Sequence, residues 1–548
     1  MSDRDLNEQP AQAPASPSRR RIFQAAAAVG LGASLPAAAE AAPRAKAKPA
    51  SSLDAKLKAH VKNVVVIYLE NRSFNNLFAG FPGLAAPMPD SAPQLDRDGS
   101  VLPQLPKIWG GMVPGRQNIG GKDYLIGEDK IAKLPNGPWK LHDGEGQPLP
   151  EALVTRDLVH NFYHNQMQIN GGKNDGFVAW GDSGALVMGH YGETDKNLGL
   201  WQIAREYTLC DNFFMGAFGG SYLNHQFLIS GRTPEFFNAA ETPAKKKITV
   251  LEDGPLGKRL AVAPDSPKSA LEGKPKFVNA SAITPDGYAV NTMAPPYQPS
   301  WVRPAPGGDA NAADPQDPSV LPPQGYDTIG DLLSRAKVSW AWYGGAWQAA
   351  IDGRGAGQRP NFQHHHQPFN YFRQFAPGTA ARAAHLRDGG LGDSPISNRF
   401  IADALAGKLP AVAFYKPQGN LNLHAGYSDV ESGDAHVANV IAHLKNSPQW
   451  KDMVVVITFD ENGGWWDHVA PPEGDRWGPG SRIPAIVVSP HAKKGAVDHN
   501  FYDTTSILRF ITRLHGLPKL EGLAMRDAAF AARGARGPGD LTAALSFR

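Results

Sequence analysis

Apolar positions along the chain fall into two kinds of run. Asn63-Val64-Val65-Val66-Ile67-Tyr68-Leu69 is continuous and β-branched, with no polar alternation, the pattern of a strand covered on both faces. Ala411 to Tyr415, Met453 to Phe459 and Ile483 to Ser489 repeat it, and Lys337 to Tyr343 is a weaker fifth run. Between these runs, apolar spacings of three and four predict helices over Leu200–Tyr207, Tyr222–Ile229, Thr328–Arg335, Ala435–Leu444 and Thr504–Leu514, the last opened by Asp503 as N-cap. Strands alternating with helices predict a layered α/β fold around a mainly parallel sheet. The stretch 235–324 is rich in Pro, Asp, Ala and Gly and reads as an irregular insertion or lid on one catalytic domain.

Composition narrows the picture. The 548 residues are 42% hydrophobic and 20% charged, enough to bury a large core. The 58 glycines and 47 prolines predict long irregular connections between elements. With 55 basic against 52 acidic side chains there is no electrostatic footprint for nucleic acid. Cys210 is the single cysteine, which excludes an intrachain disulfide and a cysteine-rich metal site; its apolar neighbours predict a buried, inert thiol.

The first 39 residues read as a targeting segment. Arg19-Arg20-Arg21-Ile22-Phe23 precedes a short alanine-rich apolar run and an Ala-x-Ala exit, the pattern of a bacterial secretory signal and, through its paired arginines, of the twin-arginine type. An ordinary secretory signal carrying three arginines is the alternative. Residues 40–58 are expected to be a flexible linker, 59–520 the catalytic domain and 521–548 a short tail. No later run is long and apolar enough to span a membrane, so the mature chain is expected to be a soluble periplasmic or secreted protein.

Candidate chemistry sits where two of the buried runs end. Glu70-Asn71 follows the first and Asp460-Glu461-Asn462 follows Met453 to Phe459. In open α/β sheets ligands bind beyond the carboxyl ends of the strands, so these groups are expected to converge on a hard or borderline divalent cation. The plainer alternative is that Glu70 and Asp460 cap helices or pair with arginines. Ser221 follows the glycine-rich turn Gly216-Ala217-Phe218-Gly219-Gly220 and opens an apolar-periodic segment. There it is either an N-cap or a nucleophile beside a phosphate cradle. Several of the 17 histidines cluster: His160 with His164, the triplet His364-His365-His366, and His424. Imidazoles in such loops suit phosphoryl binding or proton donation. His468, in Trp465-Trp466-Asp467-His468, is open to a purely architectural reading.

Taken together these segments resemble a known family. Tyr68-Leu69-Glu70-Asn71-Arg72-Ser73-Phe74, Gln168 to Phe177, Ser221 to His225, His365-His366-Gln367-Pro368 and Phe459 to Val469 are similar, in the same order, to the bacterial phosphoesterases that include acid phosphatases and non-haemolytic-type phospholipases C. The resemblance implies an alkaline-phosphatase-like three-layer α/β/α sandwich with one divalent metal ion. It implies Glu70, Asn71, Asp460, Glu461 and Ser221 as metal ligands and Ser221 as nucleophile, passing through a phosphoserine. It also implies His160, His365, His366 and His424 as phosphate binders or proton donors, with the choices between His160 and His164 and within the triplet left open. The expected substrate is a phosphorylated small molecule or a phospholipid. The match ends near Leu520, without the extra C-terminal β-domains usual in the phospholipases, which points to the acid phosphatase branch. Trp340, Trp342, Tyr343 and Trp347 offer the phospholipase alternative a cation–π site for choline. A non-catalytic phosphate or headgroup binder is the third reading.

Overall fold

In the computed structural model the central sheet has eight strands: β1 (Asn63–Leu69), β2 (Thr208–Cys210), β3 (Trp340–Gly345), β4 (Leu386–Gly390), β5 (Val412–Lys416), β6 (Met453–Phe459), β7 (Ala485–Val488) and β8 (Ala496–Asp498). Their order is β4-β3-β5-β1-β6-β7-β2-β8. The described residues are 52–192, 194–353 and 361–547. The expected signal, 1–39, and the first part of the linker lie outside them. β1 is central: Val64 to Ile67 pair in parallel with Val412 to Tyr415 of β5, and Asn63 to Leu69 with Met453 to Phe459 of β6. Every residue of β1 and β6 is buried, which requires a packed layer on each face of the sheet.

Helices supply those layers in two groups. α1 (Ser52–His60), α4 (Ser221–Ser230), α5 (Ile329–Arg335), α8 (Thr505–His515) and α9 (Glu521–Ala532) pack among themselves. α3 (Gly199–Glu206), α6 (Arg399–Leu405) and α7 (Val430–Lys445) form the other group, and α2 (Phe162–Ile169) packs against the short helix Phe177–Trp180 and the strand Gly257–Leu260. The architecture is the expected α/β sandwich with a mainly parallel sheet.

Three expectations shift. The run Ile483 to Ser489 forms β7, which is antiparallel to both its neighbours. A parallel return needs a crossover element, and 460–484 contains no helix. The end of the linker is helix α1, which buries Leu57 and ties Asp54 to Arg513 at 2.7 Å. The tail contains α9, with Leu523, Arg526 and Phe530 buried, so 521–547 belongs to the same compact unit as the sheet. The insertion 235–324 is irregular apart from the hairpin Leu251–Gly254/Gly257–Leu260 and short 3₁₀ turns. Cys210 is buried in β2 and its thiol is pushed well up by burial.

The N-terminus of α7 is capped by Asp429, which accepts the Ser432 N–H, and the Glu151 carbonyl accepts from Val430 and Glu431. This brings the Glu151 carboxyl near Asp434 and Glu431; burial first, then these like charges, push it up to about 7 from an ordinary 4.5. A carboxyl with a raised folded-state pKa binds its proton more tightly when folded, so its ionisation removes stability as pH rises from about 4.5 to about 7. Glu151→Gln is expected to raise the melting temperature at about pH 8 and to leave it nearly unchanged at about pH 4. Differential scanning fluorimetry at the two pH values checks this, and an equal shift at both would contradict it.

Candidate active site

The paired register of β1 and β6 brings their following residues side by side. Asp460 N–H donates to the Leu69 carbonyl at 2.9 Å and Arg72 N–H to the Glu461 carbonyl at 3.2 Å. Asn71 adopts a left-handed conformation (φ 61°), and its N–H donates to Asp460 Oδ1 at 3.2 Å. Asp460 Oδ1 also accepts the Glu461 N–H at 2.8 Å, while Asp460 Oδ2 accepts no well-formed hydrogen bond. Glu461 Oε2 is held by the Gly463 N–H. Asp460 therefore fixes a turn with one oxygen and leaves the other facing the cluster, and Glu70 pairs with a lysine, not an arginine.

Ser221 reaches the same place from α4. Gly220 is the N-cap of α4 and Ser221 the first helical residue, so its hydroxyl is not spent on capping. Ser221 Oγ lies 3.5 Å from Asn71 Oδ1 and 3.5 Å from Glu461 Oε1. The turn before it is fixed by Asn224, whose Oδ1 accepts the Ala217 N–H at 2.9 Å and whose Nδ2 donates to the Ala217 and Gly220 carbonyls. Glycine is needed at 219: its φ is +93° and a Cβ would stand 2.6 Å from Phe162 N.

Glu70 is gripped from all sides. Its Oε2 accepts from Asn422 Nδ2 at 2.7 Å and from the Tyr427 hydroxyl at 2.8 Å. Its Oε1 lies 2.6 Å from His366 Nε2, 2.8 Å from Lys416 Nζ and 3.8 Å from His365 Nε2. Burial alone would raise this carboxyl, but His366 and the Lys416 ammonium outweigh it and hold it well below the usual range. Asp460 is pushed up to about 7 by burial and by the Glu70 charge, and Glu461 is raised by burial despite His160.

A cleft of about 320 Å³ opens over this cluster, walled by Asp157, His160, Asp182, Ser221, Tyr222, His365 and His424 among others. His160 Nε2 is 3.8 Å from Glu461 Oε1. Burial opposes charging His160, but Glu461 and then Asp157 overcome it and raise the imidazole to about 9. His424 is lowered by burial. The rings of both bond through Nδ1 to backbone carbonyls, His160 to Leu158 and His424 to Ala425, which turns Nε2 to the cleft. His164 is buried against Phe277 and His364 lies beside Phe362 and Trp301, so neither lines the cleft. His366 lies behind Glu70. Trp340 and Trp342 are core residues of β3, the Trp342 Nε1 donating to the His366 carbonyl at 2.8 Å, and Trp347 packs on Phe362. None of these tryptophans is free to hold choline. Asp467 pairs with buried Arg482 at 3.0 Å and His468 bonds to Asn75, the architectural reading.

The profile of the Phosphoesterase family matches residues 61–518, which include every residue of this cluster. The chain belongs to the Phosphoesterase family. Phospholipase C B of Mycobacterium tuberculosis is 27% identical over 258 residues, 42% of this chain and 46% of that protein. Non-hemolytic phospholipase C of Pseudomonas aeruginosa is 29% identical over 177 residues, covering 26% and 24%. Non-specific phospholipase C6 of Arabidopsis thaliana is 33% identical over 161 residues, covering 24% and 31%. The aligned segments thus span less than half the length of each of these relatives. Among solved structures, a protein in the alkaline phosphatase superfamily from Vibrio parahaemolyticus is similar at 15% identity and a TM-score of 0.23, over 37% of this chain and 51% of that one.

Sequence reasoning passed over four of the residues around the cluster. Lys416 directly follows the apolar run ending at Tyr415, so the rule that picked Glu70 and Asp460 at strand ends also selects it. His225 is one helical turn beyond Ser221 and lies 3.7 Å from Asp460 Oδ2; the i, i+4 spacing carried that signal. Asn422 and Tyr427 flank His424 in a loop with no periodicity, and only the fold brings them to Glu70.

The Gly463 turn holds Glu461 in place. Its φ is +60°, and a Cβ would stand 2.4 Å from the Asn71 carbonyl. Gly463→Ala is expected to destabilise the fold by about 1–3 kcal/mol, measured by urea unfolding; wild-type stability would show that the turn has room to relax.

Proposed function

We propose that this phosphoesterase is an exported, metal-dependent hydrolase that cleaves phosphate monoesters through a phosphoserine on Ser221. The observation that carries the reading is the uncommitted Ser221 hydroxyl at the first position of α4, facing Asn71 and Glu461 under a cleft walled by His160, His365 and His424. Export rests on the arginine-led segment at 19–41; no helix among the described residues is long and apolar enough to cross a membrane.

The donor set fits one divalent cation. Glu70, Asp460 and Glu461 are fully buried carboxyls, two of them pushed up, and Asp460 Oδ2 is a buried oxygen without a well-formed hydrogen bond. Glu70, His225 and Asp460 offer ligand atoms within 4.8 Å of one another. The residues that would hold the ion are Glu70, Asn71, Asp460, Glu461 and Ser221, with oxygen donors suited to a hard or borderline metal. When bound, it supplies positive charge that lowers the serine pKa and neutralises charge building on the phosphoryl group.

The chain's own groups do the rest. Ser221 Oγ attacks phosphorus, the Oγ–P bond forms, and the ester P–O bond breaks in line. The N-terminus of α4 adds the positive end of its dipole beside the phosphoryl oxygens. His160, whose imidazole is pulled upward against burial by Glu461 and Asp157, is the group able to donate a proton. His424, neutral with Nδ1 bonded to a carbonyl, presents an Nε2 able to accept one. Water then attacks the phosphoserine and gives a proton to His160, the Oγ–P bond breaks, and the proton held by His424 returns to Ser221 Oγ.

The small, polar cleft supports a monoester. A phospholipase C reading is favoured by the three relatives above, each a phospholipase C by name. p-Nitrophenyl phosphate and phosphatidylcholine, offered to the wild type and to Ser221→Ala with and without chelator, separate the readings. The serine variant is expected to lose at least about 1,000-fold in kcat/KM, and chelation to abolish turnover reversibly. Diacylglycerol release without p-nitrophenol would select the phospholipase, and undiminished hydrolysis by Ser221→Ala would remove the serine mechanism.

A further inference from the structure

The C-terminal helix α9 carries a fully buried arginine directly behind the nucleophile turn. Arg526 is 1% exposed. Its Nε and Nη2 donate to the two oxygens of Asp475 at 3.0 and 3.1 Å, and its Nη1 donates to Asp503 Oδ2 at 2.7 Å and to the Gly216 carbonyl at 2.6 Å. Gly216 opens the Gly216–Gly220 turn that ends on Ser221.

Each partner of Arg526 is itself tied to that turn. Asp475 Oδ1 accepts the Trp477 N–H at 2.9 Å, and the Trp477 carbonyl accepts the Phe218 N–H at 2.7 Å. Asp503 Oδ1 accepts the Thr505 N–H at 2.8 Å and so fixes the start of α8, while Thr504 Oγ1 accepts the Gly216 N–H at 2.9 Å. Both polar groups of the Gly216 backbone are therefore held by the hub. At the other end of α4, a Cβ on Gly522 of α9 would stand 2.3 Å from the Gly231 carbonyl, so α9 presses on the C-cap of the helix that Ser221 begins.

A buried ion triad of this kind adds little net stability compared with apolar packing, because desolvating three charges offsets their attraction. It does fix geometry, since a planar guanidinium aims its donors along set directions. We infer that Arg526 is a positioning residue, which clamps the Gly216 carbonyl between Asp475 and Asp503 and thereby holds the Ser221 hydroxyl in register with the Glu70, Asn71, Asp460 and Glu461 cluster. The inference rests on Ser221 being the nucleophile.

The prediction separates placement from binding. A displaced serine slows attack on phosphorus, whereas the cleft histidines and the strand-end carboxylates stay where they are. Arg526→Met is expected to lower kcat about 10- to 100-fold, with KM, the inhibition constant of inorganic phosphate and the metal content of the purified protein each within about threefold of wild type. Arg526→Lys, which keeps the charge but not the fork, is expected to recover part of kcat. The ester is p-nitrophenyl phosphate or phosphatidylcholine, whichever the wild type hydrolyses, and circular dichroism confirms folding. Wild-type kcat in folded Arg526→Met would overturn the inference, as would phosphate affinity and metal content falling in step with kcat. If Arg526→Met does not fold, Asp475→Asn, which weakens one arm of the clamp, is judged on the same readouts. Ser221→Ala run beside them keeps the two ideas apart. Full activity there defeats the nucleophile, and an inactive Ser221→Ala with fully active Arg526→Met defeats only the clamp.

Discussion

The parallel pairing of β1 with β6 is the constraint on which the rest of the site depends. Seven residue pairs, from Asn63 with Met453 to Leu69 with Phe459, run in unbroken register. Side chains alternate faces along a strand, so a slip of one residue would send every one of them to the wrong layer. Because the register is held by burial on both faces, the two strands end level, and Glu70-Asn71 meets Asp460-Glu461 without any loop having to search for the geometry. Three carboxyls are thus forced together in a dry place, where burial first and then the neighbouring carboxylate charge raise Asp460 and Glu461.

Such crowding has to be balanced by charge. Lys416 supplies part of the balance from the end of β5, the other strand paired with β1, and His160 supplies part from the loop before α2. Lys416 reaches Glu70 and His160 faces Glu461, so the two basic groups flank the carboxyl cluster from different elements. The sheet therefore delivers acid and base from adjacent strand ends, and the helices and loops add the hydroxyl and the imidazoles.

How much of this is legible in the sequence depends on burial. The β1, β5 and β6 runs are uninterrupted because both faces are covered, and they stand out at once. β2, β4 and β8 are short or polar strands, three to five residues long. Leu386-Arg387-Asp388-Gly389-Gly390 carries no apolar pattern to read, since it pairs on one side only. Glu70, Asp460 and Ser221 are visible because each sits at the junction of a pattern and a turn. Asn422 and Tyr427 are invisible because their contact with Glu70 crosses some 350 positions of sequence. α9 was hidden for another reason. Its small residues give it little apolar contrast, and its importance lies in one charged side chain whose partners are remote in the chain.

The insertion adds a last consequence. Val290, Asn291 and Thr292 form part of the cleft wall, and Asn291 Oδ1 accepts the Phe162 N–H at 2.9 Å, two residues beyond His160. The irregular segment 235–324 is therefore stitched by one carboxamide to the helix following a cleft histidine. Its residues shape one wall of the cleft, while the paired strand ends set the carboxyl cluster beneath it. Removing that segment would also take away the anchor at Phe162, so the cleft wall and the helix beside it depend on each other.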